Sequence, residues 1–381
     1  MIYRPIGNSG MSASVIGLGT EHLDNKPYET VNNVISAALD CGINIMDLFM
    51  PGDAVRANIG RAIAGRRDKV IIQGHIGSTD INQQYDISRD LKTISKYFDN
   101  LLRLLKTDYI DFGMLFFIDS EKDFKNIFEG DSLPYALDLK KKGIVRALGA
   151  SSHNPLIAKK VIETGLVDLL MFSINPAFDM AAADTNVLDY LGDAAIDYEK
   201  KLDPDRASLY ALCEQKGAGI TVMKTLGAGK LISPKHSPFG RPLSVTQCIH
   251  YALTRPAVAS VLLGCSSAEQ VKESVAYLDA GDAEKDYSGI IRNYQGGMKG
   301  SCVYCNHCLP CPSQINIADV NKYLDIAALD EKNIPPSVKN HYMALEHHAF
   351  ECAGCGSCEE RCPFSVKIIH NMKKAAALFG K

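Results

Sequence analysis

Val15-Ile16-Gly17-Leu18-Gly19-Thr20 is a strand-length apolar run that ends among glycines, and the residues just beyond it decide the fold. In an open, doubly wound sheet the turn after the first strand carries Gly-x-Gly-x-x-Gly, so that a helix can close on a dinucleotide pyrophosphate. Gly17 and Gly19 are followed by no third glycine. The Rossmann signature is incomplete, and the neighbouring sequence must say which sheet this strand joins.

Outward from that run, short apolar stretches alternate with longer amphipathic ones from residue 14 to residue 278. This is the strand–helix alternation of a parallel sheet. Eight runs read as strands: Val15–Leu18, Ile43–Asp47, Val70–Gln73, Tyr109–Phe117, Val145–Ala150, Leu169–Ser173, Gly219–Met223 and Val258–Leu263. Helix signals lie between them. Asp131 and Ser132 precede Leu133–Lys142 with Gly143 behind it, and Asn154-Pro155 opens a helix that ends at Gly165. Eight successive units predict a closed (β/α)8 TIM barrel over residues 1–282, with function at the C-terminal ends of its strands. The long sixth connection, Asn175 to Arg206, is expected to shape that mouth. Past Asp279 the alternation stops and cysteines become dense, so residues 283–381 read as a second, small α-helical domain of loops and three short helices.

Composition narrows the function classes. The 381 residues are 46% hydrophobic, enough for a large core, yet the longest apolar runs are strand-length and far short of the roughly 20 residues a membrane helix needs. No membrane span is expected. Net charge is -3 from 41 basic and 44 acidic residues, evenly mixed, with only a short Lys140–Lys142 run, so no nucleic-acid footprint is present. Met1–Gly10 lacks the charged and apolar regions of a secretory leader, which predicts a cytoplasmic protein. Of twelve cysteines, Cys41, Cys213, Cys248 and Cys265 are scattered and eight fall in two tight groups, the spacing of metal ligation rather than disulfides.

The second group, Cys352-Ala353-Gly354-Cys355-Gly356-Ser357-Cys358-Glu359-Glu360-Arg361-Cys362-Pro363, has the C-x2-C-x2-C-x3-C-P spacing of bacterial ferredoxins. Three close thiolates can wrap one face of a 4Fe-4S cube, and the proline turns the chain so that the fourth reaches the other cluster. The first group, Cys302-Val303-Tyr304-Cys305-Asn306-His307-Cys308-Leu309-Pro310-Cys311-Pro312, is one residue shorter before its last cysteine. By the ferredoxin rule Cys302, Cys305, Cys308 and Cys362 hold one cluster, and Cys352, Cys355, Cys358 and Cys311 the other. Structural zinc would want separated pairs of cysteines; four within ten residues suit a cube better.

Tyr3-Arg4-Pro5-Ile6-Gly7, Val15–Thr20, the Gly149-Ala150-Ser151-Ser152-His153 turn and the Leu263-Gly264-Cys265-Ser266-Ser267 turn, in this order and spacing, resemble the aldo-keto reductase family. With the cysteine-rich tail, the chain looks like that family's iron-sulfur branch, a group of oxidoreductases. The resemblance implies NAD(P)H bound without a Rossmann domain and carbonyl reduction by an Asp, Tyr, Lys and His tetrad. Asp47 stands where the aspartate belongs, but Gly52 takes the tyrosine position, His75 the lysine and Phe116 the histidine. Hydride delivery to a carbonyl needs an acid to protonate the alkoxide, and glycine and phenylalanine cannot supply one. His75 beside Asp47 is the candidate replacement pair. For the nucleotide the resemblance points to Ser151, Ser152, Asn175, Gly264, Ser266 and Gln270, although Met171 and Met223 replace the family's glutamine and stacking aromatic. Lys224-Thr225-Leu226-Gly227-Ala228-Gly229 is a candidate phosphate cradle or a plain glycine-rich turn. Asp53, Arg56, Asp119 and His153 are further mouth positions, and Cys265 reads as a buried filler.

Clusters pass single electrons and nicotinamide passes a hydride, so the two halves need an intermediary such as a flavin or a substrate that accepts electrons singly. The expectation is an iron-sulfur oxidoreductase, working at low oxygen, whose two 4Fe-4S clusters exchange electrons with a redox site at the barrel mouth. A small-molecule substrate and a redox partner protein such as ferredoxin are the implied partners. An NAD(P)H-dependent carbonyl reductase with structural clusters, and a non-enzymatic electron carrier or sensor, remain open alternatives.

Overall fold

All eight apolar runs are parallel strands of one closed barrel in the computed structural model, which describes residues 1–81, 84–183, 185, 202–291 and 300–381. The strands are β1 (Ile16–Gly19), β2 (Ile45–Leu48), β3 (Ile71–Ile76), β4 (Ile110–Leu115), β5 (Val145–Ser152), β6 (Leu169–Ser173), β7 (Gly219–Met223) and β8 (Val258–Gly264). Each pairs with the next in sequence, and β8 closes on β1 through Val261 opposite Ile16 and Leu263 opposite Leu18. The runs are nearly continuous in apolar residues because helices cover the outside and side chains fill the inside. Gly17 shows how tight the filling is: a Cβ there would lie 2.8 Å from Ile45, Ser260 and Leu262 side-chain atoms.

Phe112, Met114, Ala147, Leu169, Met171 and Leu262 form the interior core, joined by Ile6 and Ala13. Those last two come from a hairpin, Tyr3–Pro5 paired with Ser12–Ser14, that plugs the N-terminal end of the strands. The mouth is thereby left at the opposite end. Sequence boundaries hold to within a few residues, and the largest shift matters most: β3 runs to Ile76, which carries His75 inside the strand. A second hairpin, Ser78–Ile81 with Gln84–Ile87, comes after β3 and has no signal in the strand pattern.

Contacts divide the chain into two units. One, Met1–Ile174, Ala218–Thr225 and Val258–Leu278, holds every barrel strand. The other comprises Asn175–Gly217, Leu226–Ala257 and Asp279–Lys381. Residues 184 and 186–201 of the sixth connection lie outside the described residues. Within the second unit Pro204–Lys216 is capped by Asp203, whose Oδ1 accepts from the Asp205 and Arg206 amides, and Ser244 and Gln247 form a capping box at Val245–Leu253. Past Asp279 this unit has six described α-helices rather than three: the one-turn Asp282–Lys285 and Ser288–Ile291, then Ile317–Ala327, Pro336–Met343, Ser357–Arg361 and Ile368–Phe379. Asn371 Nδ2 donates to Asn321 Oδ1 at 2.7 Å, joining Ile368–Phe379 to Ile317–Ala327. Among the described residues no helix is long and apolar enough to cross a membrane.

Candidate cluster sites and barrel mouth

The two cysteine groups interlace. One cavity is lined by Cys302, Cys305, Cys308 and Cys362, and a second by Cys311, Cys352, Cys355 and Cys358. Arg361, between Cys358 and Cys362, ties the groups together: its Nη2 donates to Cys308 O at 2.8 Å and to Pro310 O at 2.6 Å. The loops take one backbone course. Gly354 and Gly356 have φ of +65° and +83°, and the matching Tyr304 and Asn306 both stand at +60°. Glycine takes that region freely, whereas a tyrosine there is strained.

The walls differ in polarity. Burial pushes the Cys305 and Cys308 thiols up to about 12 and also raises Cys302, whereas amide and hydroxyl donors of Ser357 hold exposed Cys355 below its usual value. Thiolates at the first set therefore need a strongly attracting centre. Eight thiol donors in two cavities of four, with no histidine needed to complete either set, suit cysteine-ligated clusters.

At the mouth, Asp47 on β2 and His75 on β3 meet as expected. His75 Nε2 lies 2.8 Å from Asp47 Oδ1, and both residues are 2% exposed. Gln73, two residues before His75 and so on the same strand face, donates to the same oxygen at 3.1 Å. Gln73 is absent from the sequence-derived candidates, although the strand period of two points to it. His75 Nδ1 meets no partner among the described residues.

Aromatic rings cover the dyad. Phe116 packs edge-on to His75 at 5.0 Å and Phe49 at 6.2 Å, while Tyr85 from the second hairpin sits against Phe49 at 5.7 Å. Burial, helped by Glu21 and Asp119, raises the Tyr85 hydroxyl above its usual value. Gly52, at the family's tyrosine position, precedes the helix Asp53–Ala62.

A second acid–imidazole pair stands on the loops after β4 and β5. Asp119 Oδ2 is 2.8 Å from His153 Nδ1, and its Oδ1 accepts from His153 N at 2.6 Å and Ser152 Oγ at 3.1 Å. Burial would raise the Asp119 carboxyl, but the His153 and Ser152 hydrogen bonds outweigh it and hold it below the usual range. Burial lowers Lys224 against the pull of Glu21 and Asp119.

Most of the remaining candidates make local hydrogen bonds. Ser151 Oγ accepts from Phe117 N at 2.9 Å, and Ser152 Oγ donates to Ile118 O at 2.6 Å, so both hydroxyls fasten the loop after β4. Asn175 caps the short helix Pro176–Asp179. Gly264 lies under the His22 ring, which a Cβ would strike at 2.4 Å. Gln270 Oε1 accepts from Ser266 N and Oγ at 2.8 and 3.0 Å. The Gly229 amide of the expected cradle is taken by the Leu226 carbonyl, and the Gly227 carbonyl accepts from the Lys230 amide just beyond it. Asp53 accepts from Asn100, and buried Arg56 binds Met50 O and Tyr97 O, which makes both structural clamps. Cys265 is buried, and burial raises its thiol.

Comparison with known proteins agrees with these two parts. A 4Fe-4S dicluster domain profile matches residues 301–367, and an aldo/keto reductase family profile matches residues 15–242. An uncharacterized oxidoreductase of Bacillus subtilis (strain 168) is 25% identical over 291 residues, covering 73% of this chain and 91% of the relative. L-galactose dehydrogenase of Arabidopsis thaliana is 24% identical over 306 residues, covering 72% and 86%. Among solved structures, the holo form of a Bacillus halodurans aldo-keto reductase superposes with a TM-score of 0.60 at 21% identity, over 77% of this chain and 96% of that one, and supports the fold alone. With 228 of its 381 residues matched by the family profile, this chain belongs to the aldo/keto reductase family and is an oxidoreductase that carries a 4Fe-4S dicluster domain.

Proposed function

We propose that this oxidoreductase exchanges electrons between two 4Fe-4S clusters in residues 283–381 and a small molecule held at the mouth of a barrel formed by residues 1–282. Cys302, Cys305, Cys308 and Cys362 are the proposed ligands of the first cluster, and Cys311, Cys352, Cys355 and Cys358 of the second. The single observation that carries this reading is the interlaced lining of the two cavities, three neighbouring cysteines from one motif and the fourth from the other. When bound, such clusters pass one electron at a time to or from a partner such as a ferredoxin.

The chain's own residues supply the proton and the enclosure. Asp47 orients His75 through Nε2, which leaves Nδ1 as the nitrogen that holds or delivers a proton. Phe49, Phe116 and Tyr85 keep water from the pair and offer flat apolar walls, which favour a planar or conjugated substrate able to take electrons singly. Ser151, Ser152, Asn175, Lys224, Gly264, Ser266 and Gln270 are the proposed contacts of a nicotinamide or flavin nucleotide.

Anaerobic purification with iron, flavin and nicotinamide analysis, then turnover with a panel of oxidised substrates and a low-potential donor, tests the proposal. Reducible clusters with turnover that His75→Gln abolishes are expected. Clusters that cannot be reduced, together with no turnover from any donor, would sink it. The likeness to L-galactose dehydrogenase favours a second reading, nicotinamide-dependent chemistry on a hydroxyl or carbonyl with structural clusters. Activity that survives cluster removal from a folded barrel identifies that case.

A further inference from the structure

Arg255 is a buried cation to which no carboxylate among the described residues is bonded. It is 3% exposed, and its Nη2 donates to three neutral acceptors, Val303 O at 2.6 Å, Thr254 Oγ1 at 3.0 Å and Tyr287 OH at 3.3 Å. Its guanidinium lies over the Tyr251 ring at 4.4 Å and the Tyr304 ring at 4.8 Å. Its Nε meets no acceptor among the described residues.

Asp179, at the hydroxyl end of Tyr251, attracts the Arg255 guanidinium through space but bonds to other donors. Asp179 Oδ1 accepts from Arg206 Nε at 3.0 Å and Tyr210 OH at 2.5 Å, and its Oδ2 accepts from Tyr251 OH at 2.8 Å. Asp325 is bonded to the hydroxyl end of Tyr304 at 2.8 Å. A guanidinium stays protonated at any working pH, and a buried charge is costly unless an opposite one faces it.

The first cysteine loop faces it. Val303 and Tyr304 are the two residues between Cys302 and Cys305, and Tyr287 OH also donates to Val303 O, at 2.7 Å. Tyr304 is the bulky residue held in the left-handed region where the second loop has Gly354. That strain places a ring where Arg255 can stack on it.

We infer that Arg255 is the counter-charge of the first cluster, a positioning residue that the Val303 carbonyl and the Tyr304 ring hold against the Cys302–Cys305 loop. The inference rests on Cys302, Cys305, Cys308 and Cys362 binding that cluster. Four thiolates make such a site anionic, and each electron it accepts adds to the negative charge. A fixed positive charge beside it favours the reduced form and so raises its reduction potential.

The test uses the reconstituted full chain. Arg255→Met and Arg255→Gln remove the charge, and Arg255→Lys keeps it without the planar fork. Iron analysis reads loading, and an anaerobic potentiometric titration monitored by EPR and absorbance reads the clusters as separate steps. Both neutral variants are expected to move one step to lower potential and leave the other in place, with the lysine variant closer to the wild type. A loaded neutral variant with both steps unchanged overturns the inference, as does a lysine variant shifted as far as the neutral ones. Loading by the lysine variant alone supports it, because charge is then what loading requires. Failure of all three to load overturns it. Wild-type protein with fewer than two clusters would instead overturn the ligand assignment beneath it.

Discussion

Pairs of cysteine substitutions separate interlaced ligation from the simpler arrangement in which each motif holds its own cluster. Two 4Fe-4S clusters amount to about eight irons per chain. Cys302 and Cys362 line one cavity although 60 positions separate them, whereas Cys302 and Cys311 line different ones although only nine do. Interlacing therefore predicts that Cys302→Ser with Cys362→Ser disables one cluster and leaves about four irons, the same as either single change. Cys302→Ser with Cys311→Ser disables both and leaves about none. Sequential ligation predicts the reverse for both double variants. Iron and sulfide are measured on anaerobically reconstituted, desalted protein, with EPR of the reduced state to show which signal remains. About four irons in the Cys302/Cys311 variant and near none in the Cys302/Cys362 variant would refute the reasoning. The wild type adds an internal check: exposed Cys355 makes the second cluster the first to be stripped by a chelator.

Asp47→Asn is expected to lower turnover as far as His75→Gln does, with little further loss in the double variant, because the two act as one unit. The cost to the barrel is about 1–3 kcal/mol in urea unfolding monitored by circular dichroism, the usual cost of disturbing a buried charged hydrogen bond. Asp119 has a depressed folded pKa, so its stabilisation is present above the unfolded carboxylate value of about 4 and fades as pH falls through the lower folded value. Asp119→Asn should then destabilise at pH 7 and flatten the acid limb of the stability profile; an unchanged limb counts against the Asp119–His153 contact. Gly60→Ala would place a Cβ 2.4 Å from Leu104 O and 2.7 Å from Leu105 Cα, backbone atoms that cannot turn aside. A loss of about 1–3 kcal/mol with iron content unchanged is expected from the same unfolding measurement.

The barrel was legible because its signals are local and repeated: each strand announces itself by composition, and eight in a row leave little choice of topology. The Asp47–His75 meeting was legible for a related reason. Both residues lie toward the C-terminal ends of consecutive strands, which a barrel places side by side. The aromatic cover was not. Tyr85 lies in a stretch whose polar residues hide the hairpin Ser78–Ile81/Gln84–Ile87, and only pairing in three dimensions brings its ring onto Phe49.

Cysteine spacing by itself determined that this chain carries ferredoxin-like ligand sets, since loop geometry around a cube is set within about ten residues. Tertiary structure decided what surrounds those ligands. Arg255, just past the helix Val245–Leu253, reads in sequence as a common helix-end cation, yet it is buried against a loop 48 positions away. Spacing is a property of neighbouring residues, whereas the balance of a buried charge depends on every element folded around it, and no local pattern records that sum.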